Sequence, residues 1–283
     1  MHTMNSIWLT GANGLIGNCL ARIAPENLRV RALTRADFDL LDFQAAARVF
    51  QKDRPRAIIH CAAVTAVGEA QKNPASARRV NVEATGFLAG LAAEIQFVFF
   101  STDLVFDGRK GNYSETDATN PLHVYGETKV AAEEIVLKNP KHLVVRTSLN
   151  YGESLAGDRS FNEQLRRSFQ DSNGAMTLFT DEFRCPIPAR ETARAVWELL
   201  EKNAAGIFHV AGAEKLSRLR IGELLLQRWP EINMQVKSGS ARDFTGPPRA
   251  LDTSLDISKV QKILSRPLPK FSEWLAANPG KVV

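Results

Sequence analysis

Tyr125 and Lys129 stand four residues apart in the run Tyr125-Gly126-Glu127-Thr128-Lys129, at the start of a stretch with helical periodicity. In a helix that spacing stacks both side chains on one face. A phenol with a pKa near ~10 is a poor acid at neutral pH. An ammonium beside it stabilises the phenolate, lowers that pKa and makes proton exchange with a carbonyl feasible. Ser101-Thr102-Asp103 ends the preceding apolar run and adds a hydroxyl and a carboxylate; Asp103 is a candidate either for touching substrate or for fixing its loop.

A second chemistry lies near the N-terminus. Thr10-Gly11-Ala12-Asn13-Gly14-Leu15-Ile16-Gly17 reads Gly-x-x-Gly-x-x-Gly, between a short apolar run and a helical pattern. Gly11 permits the tight turn, Gly14 a close approach to a diphosphate, and Gly17 close packing of the helix, whose first N–H groups meet the anion. A site that prefers NAD places an acid at the end of the second strand to grip the ribose hydroxyls. That strand ends Leu33-Thr34-Arg35 here, and a guanidinium suits a 2′-phosphate, so the expected cofactor is NADP(H) rather than NAD(H). Asp42 is read two ways, as an acceptor for the adenine amino group or as the N-cap of the helix from Phe43.

These residues need a scaffold. Ile7–Thr10, Leu28–Leu33, Ala57–His60, Phe97–Phe100 and Leu143–Val145 read as strands alternating with helical segments, among them an Ala-rich stretch over Pro74–Ala93 and a run over Leu122–Leu137. The alternation predicts an α/β fold, a Rossmann-type doubly wound parallel sheet. A smaller C-terminal α/β substrate lobe is expected, with residues 1–148 and about 174–210 in the nucleotide-binding part and 149–173 and 211–283 in the lobe. Further helices are expected at Phe161–Phe169, Glu191–Glu201, Leu219–Trp229 and Ile257–Leu264, with strands at Met176–Phe179 and Ile207–Val210.

The chain has 283 residues, 44% of them hydrophobic and 24% charged, the balance of an ordinary globule rather than a disordered chain. No apolar run approaches the roughly 20 residues of a membrane helix, and no signal-peptide pattern opens the sequence. Cys19, Cys61 and Cys185 lie far apart, which points to a reducing, cytoplasmic setting without disulfides, and no cluster has metal-site spacing. A net charge of +5 from scattered Lys and Arg suits anionic small molecules but forms no nucleic-acid stripe. Asn112-Tyr113-Ser114 is read as a chance sequon. His60 and His209 read as interior histidines, and His123 as either a substrate contact or a cap.

Taken together, Thr10–Gly17, Ala62-Ala63, Asn81-Val82, Ser101–Gly108, Tyr113–Asp117, Pro121–Lys129, Arg146-Thr147-Ser148 and Asp181–Pro186 resemble the extended short-chain dehydrogenase/reductases, in their dTDP-4-dehydrorhamnose reductase-like branch. The resemblance covers nearly the whole chain and is most specific between Phe99 and Lys129. It implies that Thr102 binds a substrate carbonyl, Tyr125 donates the proton, and Lys129 holds the nicotinamide ribose and tunes Tyr125. It further implies that Gly11, Asn13, Gly14, Leu15 and Ile16 face the diphosphate and Ala62 and Ala63 the cofactor. Arg249 resembles an arginine that meets either a substrate diphosphate or a structural carboxylate. The implied activity is reduction of a keto group, the 4-keto group of a nucleotide-linked deoxysugar, by a monomer or homodimer without nucleic-acid or membrane partners.

Departures bear on the substrate: Leu104 and Leu149 stand where that branch tends to carry aromatics, Gly68 where it carries an acid, and Cys19 where some members have a metal-bridging glutamate. Two alternatives remain at this stage. One is an epimerase or dehydratase on the same scaffold; the other is a non-catalytic NADP-binding regulatory subunit like that of methionine adenosyltransferase.

Overall fold

Strands that are apolar at consecutive positions must be covered on both faces. In a computed structural model, which describes residues 6–158, 160–171, 175–233 and 235–279, this is how the first half folds. Strands β1 (Ser6–Thr10), β2 (Arg29–Leu33), β3 (Ala57–His60), β4 (Gln96–Thr102) and β5 (Leu143–Thr147) alternate with helices. These are α1 (Leu15–Arg22), α2 (Phe43–Asp53), α3 (Val67–Lys72), α4 (Pro74–Arg78), α5 (Ala84–Leu91) and α6 (Val124–Val136). The second half adds β6 (Asn150–Tyr151), α7 (Phe161–Asp171), β7 (Ala175–Phe179), β8 (Phe183–Arg184), β9 (Ile187–Pro188), α8 (Ala189–Glu201) and β10 (Gly206–Val210). It ends with β11 (Leu216–Ser217), α9 (Arg218–Leu226), β12 (Gln235–Gly239), α10 (Ser258–Gln261) and α11 (Phe271–Ala277).

The main sheet runs β10-β5-β4-β3-β1-β2, with every pair parallel. Alternation along each strand sorts its residues. Ile7, Leu9, Ile59, Val98 and Val145 pack with Leu20 of α1 and Ala193, Val196 and Leu200 of α8. Trp8, Ile58, Phe97, Phe99 and Val144 face the other way, onto Ala46, Leu88, Ala132 and Val136 of α2, α5 and α6. Trp197 Nε1 donates to the Leu20 carbonyl at 3.1 Å and so locks α8 onto α1. This is the doubly wound sheet the alternation predicts. A separate core around Tyr151, Leu165, Phe169, Leu178, Ile221, Trp229 and Phe271 forms the smaller lobe.

Several expectations shift. The single helix expected over Pro74–Ala93 is instead α4, a π-turn over Arg79–Glu83 and α5, with α3 before it. The C-terminal seventy residues, in which the particular elements expected are the helices Leu219–Trp229 and Ile257–Leu264, also contain β12, which pairs in parallel with β7. Of the stretch 174–210, β7 pairs with β12 and its Leu178 packs in the core around Tyr151, while β10 joins the main sheet and α8 covers it. The helix expected over Ile257–Leu264 contracts to α10. Among the described residues no helix is long and apolar enough to cross a membrane, and no cluster of His, Cys, Asp and Glu is arranged to hold a metal ion.

Candidate active site

The strand order reverses between β1 and β3, and in open α/β sheets the crevice beyond such a switch point receives ligands. Gly11 enters it at φ +68°, a conformation costly for any side chain, and a Cβ there would lie 2.6 Å from the Ala62 backbone nitrogen. The turn after β1 is thus pressed directly on the loop after β3. Gly14 caps α1 with no side-chain hydrogen bond, so the amides from Leu15 and Ile16 onward open the helix without a protein acceptor from the cap. A cavity of about 140 Å³ lies here, lined by Gly11, Ala12, Asn13, Thr34, Arg35 and Ala62 together with apolar neighbours. A tight glycine turn, open amides and a guanidinium form a donor set that fits a dinucleotide phosphate.

The acids that follow β2 are engaged elsewhere, Asp39 by the Leu41 amide at 2.8 Å. Asp37 Oδ2 accepts from the Thr34 amide at 2.8 Å and the Thr34 hydroxyl at 3.1 Å, and Arg31 approaches Oδ1 at 3.4 Å. These bonds, the Thr34 amide first, hold its carboxyl below the usual range. Asp42 Oδ1 accepts from the Ala45 amide at 2.9 Å as the N-cap of α2 and lies outside the cavity lining. Arg35 has no ion pair among the described residues and lines the cavity.

Tyr125, Thr102 and Lys129 meet at the neighbouring strand ends. Tyr125 and Lys129 lie in the first two turns of α6, which starts at His123 and packs on β4. A Cβ at Gly126 would collide with the Leu104 carbonyl, so the absence of a side chain there lets the turn Asp103–Val105 close over Tyr125. Leu104, Val64, Val67, Val124, Ala70 and Ala77 surround the phenol. This apolar burial raises the Tyr125 pKa well above its ordinary value; the Thr102 hydroxyl opposes the rise and the Asp103 charge adds to it. Lys129 lies 4.0 Å over the Phe99 ring, and burial brings its ammonium down to about 7, with Glu133 pulling it back up. Its charge bears on Cys61 and His60 of β3 and its following loop. The spacing argument expects the ammonium to lower the phenol's pKa; in this arrangement burial outweighs any such effect.

Two polar supports were not legible as such in the sequence. Asn81, in the π-turn, accepts from Val64 N at 2.8 Å and donates to Val64 O and to Thr128 Oγ1, both at 3.0 Å. It ties the loop carrying Ala62 and Ala63 to α6. His60 Nδ1 lies 2.7 Å from the Thr10 hydroxyl and Nε2 lies 3.1 Å from that of Thr85, which itself donates to the Asn81 carbonyl. That chain requires a neutral imidazole protonated on Nε2, and burial takes its pKa down to about 3. His60 and the buried His209 are interior histidines, as read from the sequence.

On the lobe side, Arg249 Nε and Nη2 reach Glu182 at 2.6 and 3.1 Å, and its guanidinium lies against the rings of both Phe179 and Phe244. Arg184 and Arg218 face the same carboxylate at 3.1 and 3.8 Å. Burial pushes Glu182 up, but Arg249 and the other two cations outweigh it and leave its pKa lowered. His123 is lowered by burial and then by the charges of Arg249 and Arg184. Asp103, by contrast, is buried among protein donors.

A doubly wound parallel sheet with a glycine turn at its switch point, and Thr102, Tyr125 and Lys129 beside it, defines a short-chain dehydrogenase/reductase-type α/β protein. The chain belongs to the family described as the RmlD substrate binding domain, which matches residues 4–279. A dTDP-4-dehydrorhamnose reductase of Sinorhizobium fredii is 31% identical over 280 residues, 94% of this chain and 93% of that one. Methionine adenosyltransferase 2 subunit beta of Bos taurus is 27% identical over 273 residues, 91% of this chain and 82% of its own. The solved dTDP-4-dehydrorhamnose reductase of Bacillus anthracis, in complex with NADP, superposes with a TM-score of 0.88 at 23% identity, covering 97% of this chain and 98% of that one.

Proposed function

We propose that this protein is an NADPH-dependent oxidoreductase that reduces the 4-keto group of a nucleotide-linked deoxysugar. The observation that carries the reading is the Tyr125 phenol, buried in an apolar pocket beside Thr102, one helical turn from a lysine whose charge reaches the loop against Gly11. NADPH, when bound, supplies a hydride to the carbonyl carbon. Tyr125 holds the proton that the resulting alkoxide needs, and its raised pKa keeps that proton in place at neutral pH. Thr102 holds the carbonyl oxygen next to the phenol. Lys129 is within reach of the cofactor side, so the ammonium that now rests on Phe99 can instead meet ribose hydroxyls and favour transfer from Tyr125.

Arg35 supports NADP(H) over NAD(H), since it lines the cavity with no carboxylate partner among the described residues while Asp37 is bound to Thr34. Gly11, Asn13, Gly14, Leu15, Ile16, Ala62 and Ala63 bound the diphosphate and nicotinamide side. Arg249 is committed to Glu182, and the positive surplus of Arg184, Arg218 and Arg249 over that carboxylate suits the anionic half of a sugar nucleotide. The protein works in the cytoplasm as a monomer or homodimer, a setting that three free cysteines fit.

The test is an NADPH-oxidation screen over keto-sugar nucleotides with product analysis. Stoichiometric NADP⁺ and a reduced sugar are expected. Turnover without net cofactor oxidation would indicate an epimerase or dehydratase. The likeness to a methionine adenosyltransferase subunit, together with Leu149 being drawn into the lobe core rather than offering an aromatic platform, favours one second reading. In that case no keto sugar is turned over and a stoichiometric enzyme partner is recovered.

A further inference from the structure

We propose that Asp103 is a positioning residue that ties the C-terminal segment at Thr253 and the end of β5 to the Thr102 hydroxyl, rather than a ligand of the substrate. Its carboxylate gathers donors from three separate parts of the chain. Thr102 Oγ1 donates to Oδ1 at 3.2 Å, while Ser148 Oγ, just past β5, and Thr253 Oγ1, from the lobe, donate to Oδ2 at 2.7 and 3.0 Å. Arg184 Nε stands 3.8 Å from Oδ2. A carboxylate offers about four lone-pair sites; three protein hydroxyls take three of them, two on Oδ2 and one on Oδ1, and Arg184 adds its charge to the Oδ2 side. With its side chain buried, the carboxylate is spent on the protein first.

The contacts have a direction. An ionised carboxylate can only accept, so Asp103 holds the single O–H of Thr102, which turns to a substrate carbonyl oxygen by leaving Oδ1, while a Thr102 lone pair takes the Leu104 amide at 3.2 Å. The backbone turn after Thr102 and its hydroxyl proton are thereby set together. Ser148 Oγ accepts in turn from the Cys185 amide at 3.2 Å, so the sheet end and the β8–β9 connection join the same knot. Thr253 brings in a distant segment: the neighbouring Ser254 and Asp252 bond backbone of the Gly108–Tyr113 loop, through Asn112 N to Ser254 Oγ at 2.7 Å and Asp252 N to Gly108 O at 3.0 Å. A shift of the Asp252–Ser254 segment or of the Gly108–Tyr113 loop it is bonded to therefore pulls on Asp103, and through it on Thr102.

The negative charge has a second effect, on the phenol. The polar groups acting on Tyr125 are Thr102 at the end of β4 and Asp103 in the turn that follows it; Glu69, Lys72 and Arg78 of α3 and α4 are exposed. Asp103 opposes phenolate formation and so keeps the donor loaded.

The proposal rests on the reductase reading, and its test separates the two. Wild-type turnover on a keto-sugar nucleotide decides the reading before any variant is compared. Asp103→Asn keeps the volume, removes the charge and reverses one hydrogen-bond polarity. The expected result is a kcat lower by about 10²-fold, the order of a lost proton-transfer arrangement. NADPH affinity should stay within about twofold and the alkaline limb of the kcat–pH profile should move to lower pH. Thr253→Val keeps the charge and should lower kcat while leaving that limb in place. Independently of turnover, Thr253→Val should speed hydrogen exchange at the Leu104 and Phe106 amides. A raised KM for the sugar alone with kcat and the limb unmoved would make Asp103 a substrate ligand and overturn the proposal. So would wild-type exchange and wild-type kcat in Thr253→Val, including the case in which Asp103→Asn fails to fold.

Discussion

At the scale of single residues, the site depends on which charges are already spent. Arg31 is paired with Asp37 and Asp53, Arg249 with Glu182 and Arg146 with Glu133, whereas Arg35 is left facing the glycine turn. A charge-assisted contact from Arg35 to a 2′-phosphate is worth about 1.5–3 kcal/mol. Arg35→Ala should therefore weaken NADPH binding by roughly 10- to 100-fold and leave NADH within about twofold, as read by fluorescence titration of both cofactors. Equal losses would remove Arg35 from the cofactor site. These residues were legible in the sequence because their types and spacing are themselves the chemistry. The competing uses of Asp37 and Asp42 were only half legible: the carboxylates are visible, but which amide each one accepts from follows from local turns.

At the scale of elements, two turns decide whether the pieces meet. The β1–α1 turn lies against the loop after β3, and Gly11 is the contact point. Gly11→Ala forces a left-handed backbone onto alanine, a strain of about 1–3 kcal/mol, and drives a methyl toward Ala62. The expected outcome is an intact fold by circular dichroism with NADPH affinity lost by at least about tenfold; wild-type affinity would contradict the role given to this turn. The glycine pattern announced this element, since no other residue suits it. The π-turn Arg79–Glu83 was not announced, because an extra residue in a helical turn leaves no mark in periodicity, yet it places Asn81 to hold Val64 and Thr128. β12 was missed for another reason. Gln235–Gly239 is polar and largely exposed, and forms a strand only because β7 offers it an edge some sixty residues earlier in the chain. The knot at Asp103 was equally hidden, its partners Ser148 and Thr253 lying 45 and 150 residues away.

At the scale of the whole molecule, polar groups sealed into the sheet set its tolerance of acid. His60 and His209 are fully buried and held near pKa 3 from an ordinary 6.5, by burial first in both cases. The unfolded chain binds a proton on each as pH falls below 6.5 while the native state does not, so their stabilising effect is intact above pH 6.5 and is lost progressively toward pH 3. Each adds a slope of up to about 1.4 kcal/mol per pH unit in that window. Denaturant unfolding at pH 7, 6 and 5 should record falling stability, and the double variant His60→Gln/His209→Gln should flatten the trend; an unchanged slope would refute it. The buried pair Arg146–Glu133, joined at 2.7, 3.0 and 3.2 Å between β5 and α6, is the other sealed feature. Glu133→Gln leaves the guanidinium without its counter-charge and should cost about 3–5 kcal/mol of unfolding free energy. A loss under 1 kcal/mol in the same denaturant experiment would contradict that.

All of this scaffolding converges on one proton. Steady-state NADPH oxidation with a keto-sugar nucleotide, compared between the wild type and Tyr125→Phe with cofactor affinity measured in parallel, tests that directly. The expected result is a loss of about 10²-fold or more in kcat with NADPH affinity within about twofold. Near-wild-type turnover by Tyr125→Phe, or a loss explained wholly by weaker NADPH binding, would contradict it.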